Sequence, residues 1–234
     1  MGADDARALE RAMMATPVLA DTPPSAVRAL ASKGSLQHVR KGTSLFWQGD
    51  ESRDVFFLHD GRVELSNVNQ TGYRGYHTAF DPPQFFGELG VLAGLPRSSS
   101  AVAVDDSLVW IIRGSSFASF VQDHARAAFG LVRALAQQVL EHESLVDDLL
   151  FLDLRGRVAK RLLGLVAPSL NKLPPDGTMV PSVVTHADLA SLAGGSRENV
   201  TRILSDFQKR GIVGRSGKRY VLKDVKALRR FASL

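Results

Sequence analysis

The sequence predicts an α+β chain in which a β-sandwich, a long helix and a winged helix–turn–helix follow one another, and three observations carry that prediction. From Leu36 to Trp110, short apolar or alternating runs such as DVFFLHDGRVEL and SLVWII are separated by Gly42, Gly49-Asp50, Asp60-Gly61 and Gly72, the texture of short strands joined by turns. From Ser116 to Asp153 no proline, and no glycine but Gly130, interrupts a helical pattern. Near the C-terminal end, THADLASLAGGSRENVTRILSDFQKRGIV places two short helical patterns on either side of Gly194-Gly195.

Each element has its own local reason. Residues 5–32 alternate helical runs (Asp5 to Met14, Ser25 to Ser32) with the breakers Pro17, Pro23 and Pro24. In the long helix, Leu131, Leu135, Gln138, His142, Leu145, Leu149 and Leu152 recur at alternating steps of four and three, a heptad seam that predicts pairing with a second copy in a parallel dimer. A further helical run, Asp153 to Val166, leads to the proline-rich loop LNKLPPDGTMVPS. Thr185 and Asp188 have the spacing of a capping box, with Leu189 and Leu192 inward. Ser196 can cap the second helix, Val200, Ile203, Leu204 and Phe207 form its apolar stripe, and Gly211 ends it. The next stretch, IVGRSGKRYVL, reads as a β-hairpin wing.

At 234 residues there is room for two modest cores, and the absence of cysteine excludes disulfides, thiolate zinc sites, iron–sulfur clusters and cysteine nucleophiles. No nucleophile–base pair or metal-ligand spacing stands out, so neither enzyme chemistry nor a metal is expected; Asp105-Asp106 reads as a turn. With no signal-peptide core and no apolar run of membrane-spanning length, a soluble cytoplasmic protein without membrane contact is expected.

The formal charge of +5 conceals a strong segregation: residues 1–115 sum to −2, residues 116–153 to −4 and residues 154–234 to +11. Such an imbalance is the electrostatic footprint of a nucleic-acid-binding domain attached to one with another task. The second helix of the helix–turn–helix fits that task. Arg197, Glu198, Thr201 and Arg202 project together near its N-terminal end, beside the cap Ser196. Arginine pairs bidentately with guanine O6/N7, glutamate accepts from cytosine N4, and the N-terminal end of such a helix enters the major groove. Arg215, Lys218 and Arg219 of the wing could reach phosphates of double-stranded DNA.

The segment FFGELGVLAGLPRSSSAV holds a carboxylate and a lone guanidinium nine residues apart in apolar surroundings. A cyclic phosphodiester is a single negative charge on which Arg97 can fork, with Ser98 adding a hydroxyl donor. A helical turn opened by Gly87, Glu88 and Leu89 would aim backbone N–H groups at the same anion, and Glu88 would accept from a ribose 2′-OH. The alternative is a buried Glu88–Arg97 salt bridge without a ligand, a weak stability device on its own.

Together, the glycine-punctuated sandwich (Gly42, Gly49, Gly61), the cassette FGELGVLAGLPRSS, the hinge FLDLRGRVAKRLL and the helix GSRENVTRIL resemble the CRP/FNR family of transcription regulators over nearly the whole chain. The resemblance is to its cyclic-nucleotide branch. It implies a jelly-roll cyclic-nucleotide-binding domain over 1–115, a dimerisation helix and hinge over 116–153, and a winged helix–turn–helix over 154–234. It further implies a homodimer, RNA polymerase as a partner, and a palindromic site with TGTGA-like halves read by Arg197, Glu198 and Arg202. Where the family's cAMP receptors offer a Thr-Ser pair to adenine, this chain has His142 and Glu143, with Gln138 nearby. A carboxylate accepts from guanine N1–H and N2–H₂ together, so cGMP stands open beside cAMP as the allosteric ligand. Rival readings are a haem sensor using His77, a cyclic-dinucleotide receptor, and a DNA-binding regulator indifferent to nucleotide. A kinase subunit or channel would lack GSRENVTRIL.

Overall fold

The computed structural model describes residues 3–68, 74–167, 173–181 and 183–233. Two helices lead, α1 (Ala3–Met14) and α2 (Pro24–Ala31). The strands β1 (Gly34–Val39), β2 (Ser44–Phe46), β3 (Asp54–Asp60), β4 (Val63–Val68), β5 (Arg74–Phe80) and β6 (Gln84–Phe86) follow, then α3 (Glu88–Ala93), β7 (Ser100–Ala103) and β8 (Ser107–Arg113). Next come α4 (Gly114–Asp123), α5 (Ala125–Phe151) and α6 (Leu154–Gly164). The remainder is β9 (Thr178–Met179), α7 (His186–Ala193), α8 (Arg197–Lys209), the hairpin β10 (Val213–Ser216) and β11 (Arg219–Leu222), and α9 (Val225–Ala232). The chain divides into two compact units, residues 1–140 and 141–234, and α5 runs from one into the other. Among the described residues no helix is long and apolar enough to cross a membrane.

The first unit is the predicted sandwich. Its two four-stranded antiparallel sheets have the orders β1-β8-β3-β6 and β2-β7-β4-β5. The near-continuous apolar run of β3 follows from burial on both faces. Phe56 and Leu58 point between the sheets, beside Phe46, Val63, Phe86, Ala101 and Val109. Val55 and Phe57 point the other way, under a helical layer that contributes Leu9, Met13, Val27, Leu30, Phe117, Phe120 and Leu131.

The single helix expected from Ser116 to Asp153 is two helices. His124 leaves helical geometry at φ −126°, ψ 89°, and its Nδ1–H donates to Phe120 O at 2.9 Å, where a helical backbone N–H would sit. The start of the seam read in the sequence packs within the unit. Leu131 is buried in the unit's own core and Leu135 packs against it. A second apolar row is exposed on α5, Phe129, Val132, Val139, Val146 and Leu150, with exposed Ala136 and Glu143 completing it, and Leu149 of the first row is exposed as well. This row has the same alternating steps, displaced to a neighbouring face of the helix. Periodicity alone could not separate the two: Leu131 and Leu135 of the first row pack on their own unit, whereas the second row is exposed among the described residues.

In the second unit, Asp153 caps α6, its Oδ1 accepting from Gly156 N at 2.7 Å. Asp148, near the end of α5, is buried and ion-paired with both Lys160 and Arg161 of α6. Arg161 also donates to Leu192 O, and Arg157 donates to Ala193 O and to Leu152 O. Two arginines of one helix thus satisfy the last carbonyls of α7 and one at the end of α5. The predicted caps are present: Thr185 and Asp188 form the capping box, Gly194 turns the chain at φ 63°, and Ser196 Oγ accepts from Asn199 N. Val200, Leu204 and Phe207 enter a core shared with Leu162, Leu163, Leu189, Tyr220 and Leu228.

Candidate functional site

The cassette begins where β6 ends. Gly87 caps α3 in the left-handed region, φ 78°, and a Cβ there would lie 2.8 Å from Arg97 Nη1 and 3.1 Å from the Phe56 ring. Glycine is required on both counts. Arg97 is buried under the same turn, 5 % exposed. Its Nη1 donates to Gly87 O at 2.6 Å, its Nη2 to Asp54 O at 2.7 Å, and its guanidinium lies 4.3 Å from the centre of the Phe46 ring. The backbone of the residue is held as well, Arg97 N donating to Asp50 O and Gly49 N to Arg97 O. The fork expected to close on a phosphate therefore grips two carbonyls of its own domain.

What is left on Arg97 suits an anion. Nε is buried with no hydrogen-bond partner, and each terminal nitrogen keeps a second N–H. An unpaired buried donor on a cation is costly unless something accepts from it. Ser98 beside it is exposed, as is Leu89, while Gly87 is half-buried. A cyclic phosphate fits this donor set.

Glu88 is buried at 8 % exposure. The salt bridge weighed as an alternative is not formed: no ion pair joins Glu88 to Arg97 among the described residues, and Arg97 acts on the carboxylate only as a nearby charge. Burial pushes the Glu88 carboxyl above its ordinary range, while its own backbone N–H and Arg97 pull the other way. The folded unit thus holds this proton more tightly than the unfolded chain. That contribution is stabilising below the ordinary carboxylate pKa and is lost as pH rises through the raised value. Glu88→Gln is expected to raise the melting temperature at neutral pH and to leave it unchanged below the ordinary carboxylate pKa, which a melting series against pH would check.

The residues assigned to the base all lie on α5. Gln138 is half-buried, and His142 and Glu143 are exposed. Glu143 occupies the solvent-facing apolar row, whereas Gln138 and His142 flank it. His77 lies on β5 opposite Ser66, and its side chain is outside the described residues.

On α8, Arg197, Glu198 and Arg202 are exposed, and none makes a side-chain hydrogen bond or ion pair among the described residues. Thr201 Oγ1 donates to Arg197 O at 2.7 Å. Elsewhere on this helix charged side chains do pair, as Asp206 does with Arg155 and Arg210. Three unpaired charged side chains at the N-terminal end, with a capped helix behind them, form a face ready for base edges. Lys218 and Arg219 are exposed on the wing. Arg215 is exposed too, but its terminal nitrogens already bond Lys218 O, Tyr220 Oη and His186 Nε2.

Reading the sequence missed α9, the Asp148 ion triad and the partners of Arg215. A signal for α9 was present, Asp224 before V-x-A-L-x-x-F-A. The ion triad joins two different helices and the Arg215–His186 contact joins residues 29 apart in the chain, so neither left a local pattern.

The comparisons agree with the geometry. Residues 36–124 match the cyclic nucleotide-binding domain, and residues 156–231 match the Crp-like helix-turn-helix domain. The cyclic AMP receptor protein of Thermus thermophilus is 31 % identical over 74 % of this chain and 76 % of its own length. The CRP-like cAMP-activated global transcriptional regulator of Mycobacterium tuberculosis is 29 % identical over 89 % of this chain and 93 % of its own. The crystal structure of the Thermus thermophilus catabolite activator protein superposes with a TM-score of 0.54 at 27 % identity, covering 93 % of this chain and 98 % of that one. These relatives are regulators rather than enzymes, and the chain, with its cyclic nucleotide-binding domain and its DNA-binding helix–turn–helix, belongs to the CRP/FNR family of transcription regulators.

Proposed function

We propose that the protein is a homodimeric transcription regulator of the cytoplasm that binds a purine ribonucleoside cyclic monophosphate, cAMP or cGMP, and in response binds palindromic DNA with TGTGA-like half-sites. The observation that carries the ligand is the meeting of two buried groups in one cassette, the Arg97 Nε donor without a hydrogen-bond partner and the Glu88 carboxylate, which no ion pair holds among the described residues. A ribose cyclic phosphate supplies an acceptor for the first and a 2′-OH donor for the second. Gly87, Leu89 and Ser98 complete the phosphate side, and Gln138, His142 and Glu143 are assigned to the base. The relatives named as cAMP-activated support the ligand class.

The dimer would form along Phe129, Val132, Ala136, Val139, Glu143, Val146 and Leu150. In a parallel pair each of these residues meets its own copy, so Glu143 would face Glu143. Two carboxylates brought together repel, and a purine N–H donated to each relieves the repulsion. This gives α5 a reason to change its pairing when ligand binds, and the Asp148–Lys160–Arg161 triad ties the end of α5 to the DNA-binding unit. RNA polymerase would be contacted at the sandwich surface or near residues 170–177, of which 170–172 lie outside the described residues.

Calorimetric titration with cAMP and with cGMP tests the ligand. Binding of both is expected, with Glu143→Gln weakening cGMP more than cAMP, because one amide oxygen cannot take both guanine N–H groups. Binding of neither would overturn the proposal. On DNA, Arg202→Ala is expected to lose about 1–3 kcal/mol of discrimination at one guanine of the half-site. An equal loss on every sequence would make Arg202 a phosphate contact.

A further inference from the structure

A hydrogen-bond chain crosses the second unit from the wing to the base-reading helix, and its donors and acceptors are fixed by chemistry. Arg215 on β10 lies 3.9 Å over the Tyr220 ring. It donates from Nη1 to Lys218 O at 3.0 Å, and from Nη2 to Tyr220 Oη at 2.6 Å and to His186 Nε2 at 3.1 Å. A guanidinium only donates, so Nε2 accepts, and the proton of a neutral imidazole then resides on Nδ1. From there it points to Thr201 Oγ1 at 2.9 Å, whose own hydroxyl donates to Arg197 O. His186 is the first residue of α7, directly after its N-cap Thr185. It is the one link between the wing and α8 in this chain of bonds.

We infer that neutral His186 is a positioning residue that holds the wing, with Lys218 and Arg219, in register with Arg197 and Thr201 of α8, and that its protonation releases the wing and weakens DNA binding. An imidazolium has no acceptor at Nε2 and would face the Arg215 charge across a hydrogen-bond distance. Among the described residues, the groups around the ring offer no free carboxylate to stabilise that charge. Arg215 and Tyr220 approach from the wing and Arg197 from α8, while Asp188 on its own helix is committed to Thr185 N–H. Burial first, then Arg215 and Arg197, hold the His186 imidazole below its ordinary range. The clamp is therefore complete above the ordinary imidazole pKa and is lost as pH falls through the depressed value. Wing contacts to phosphate set orientation on the duplex, so a loosened wing weakens binding on every sequence.

The inference rests on the DNA-binding assignment and not on the nucleotide. Two measurements on the full-length chain test it. Imidazole ¹⁵N–¹H correlation spectra should show His186 as the Nδ1–H tautomer near pH 7.5, with a pKa that moves up toward the ordinary value in Arg215→Ala. An Nε2–H tautomer, or a pKa indifferent to Arg215→Ala, would overturn the clamp. Fluorescence anisotropy on a TGTGA palindrome and on a mixed-sequence duplex, at fixed low salt from pH 7.5 to 5.5, gives the functional arm. His186→Gln keeps an acceptor for Arg215 without a titrating group, so the comparison cancels the other five of the six histidines. Wild type should lose several-fold affinity relative to His186→Gln as pH falls, on both duplexes. Parallel slopes, or a relative gain by wild type through direct His186–phosphate contact, would refute the inference. Failure of every protein to bind DNA at pH 7.5 would count against the DNA-binding reading, and the spectra would then decide the clamp alone.

Discussion

Arg97→Ala should abolish nucleotide binding and also destabilise the first unit by roughly 3 kcal/mol or more. The two effects share one cause. The guanidinium is the donor to two carbonyls, Gly87 O and Asp54 O, and charge-assisted bonds of this kind contribute roughly 1.5–3 kcal/mol each. Its stacking on Phe46 adds about 1 kcal/mol. Without the side chain the cassette turn at Gly87 loses its anchor, and the ligand loses its cationic partner. Both tryptophans, Trp47 and Trp110, belong to residues 1–140, so intrinsic fluorescence during denaturant unfolding reports on this unit directly. Arg97→Lys separates the two roles, since a single ammonium keeps the charge but lacks the fork. It should recover part of the affinity and little of the stability. Unchanged nucleotide affinity in Arg97→Ala would refute the ligand role, and unchanged stability would refute the anchoring role.

The second large effect is expected from Val139→Asp. Val139 is 56 % exposed in the middle of the apolar row on α5 and has no role in the core of its own unit. A carboxylate there, facing its copy, should leave a folded monomer. Sedimentation velocity would show half the mass, and fluorescence unfolding would be close to wild type. Affinity for a palindromic duplex should fall at least about 100-fold, because two half-sites are no longer bound by one linked molecule. Leu131→Asp makes the opposite prediction: Leu131 lies in the core of the first unit, and its replacement should unfold that unit. If Val139→Asp stays dimeric while Leu145→Asp dissociates, the dimer uses the seam first read from the sequence.

Much of this was legible in the sequence because the signals were local. The capping box at Thr185 and Asp188, the cap at Ser196 and the stripe Val200, Leu204 and Phe207 need only a few consecutive residues, and all formed as expected. The continuous apolar run in DVFFLHD likewise marks a strand buried on both faces. Features that depend on distant partners were not legible. Leu131 could not be told from Val132 as a seam residue, because the partner of Leu131 is the helical layer around Leu9 and Phe117. Arg97 was read as a ligand group or as a salt-bridge partner of Glu88, since nothing local says that Asp54 O lies beside it. Arg215 was read as a phosphate contact, and only the fold brings Tyr220 and His186 to its nitrogens. The break at His124 rests on one side-chain bond to Phe120 O that no helix propensity reports.

The central claim is that occupation of the Glu88–Arg97 cassette controls DNA binding by the helix–turn–helix. It is tested most directly by titrating the protein onto a labelled TGTGA palindrome without nucleotide, with cAMP and with cGMP, each at saturation and fixed salt. The account predicts weak, sequence-indifferent binding without nucleotide and at least tenfold tighter, sequence-selective binding with one or both ligands, a gain absent from Arg97→Ala. Equal affinity in all three titrations would contradict it and leave a DNA-binding regulator that this cassette does not control.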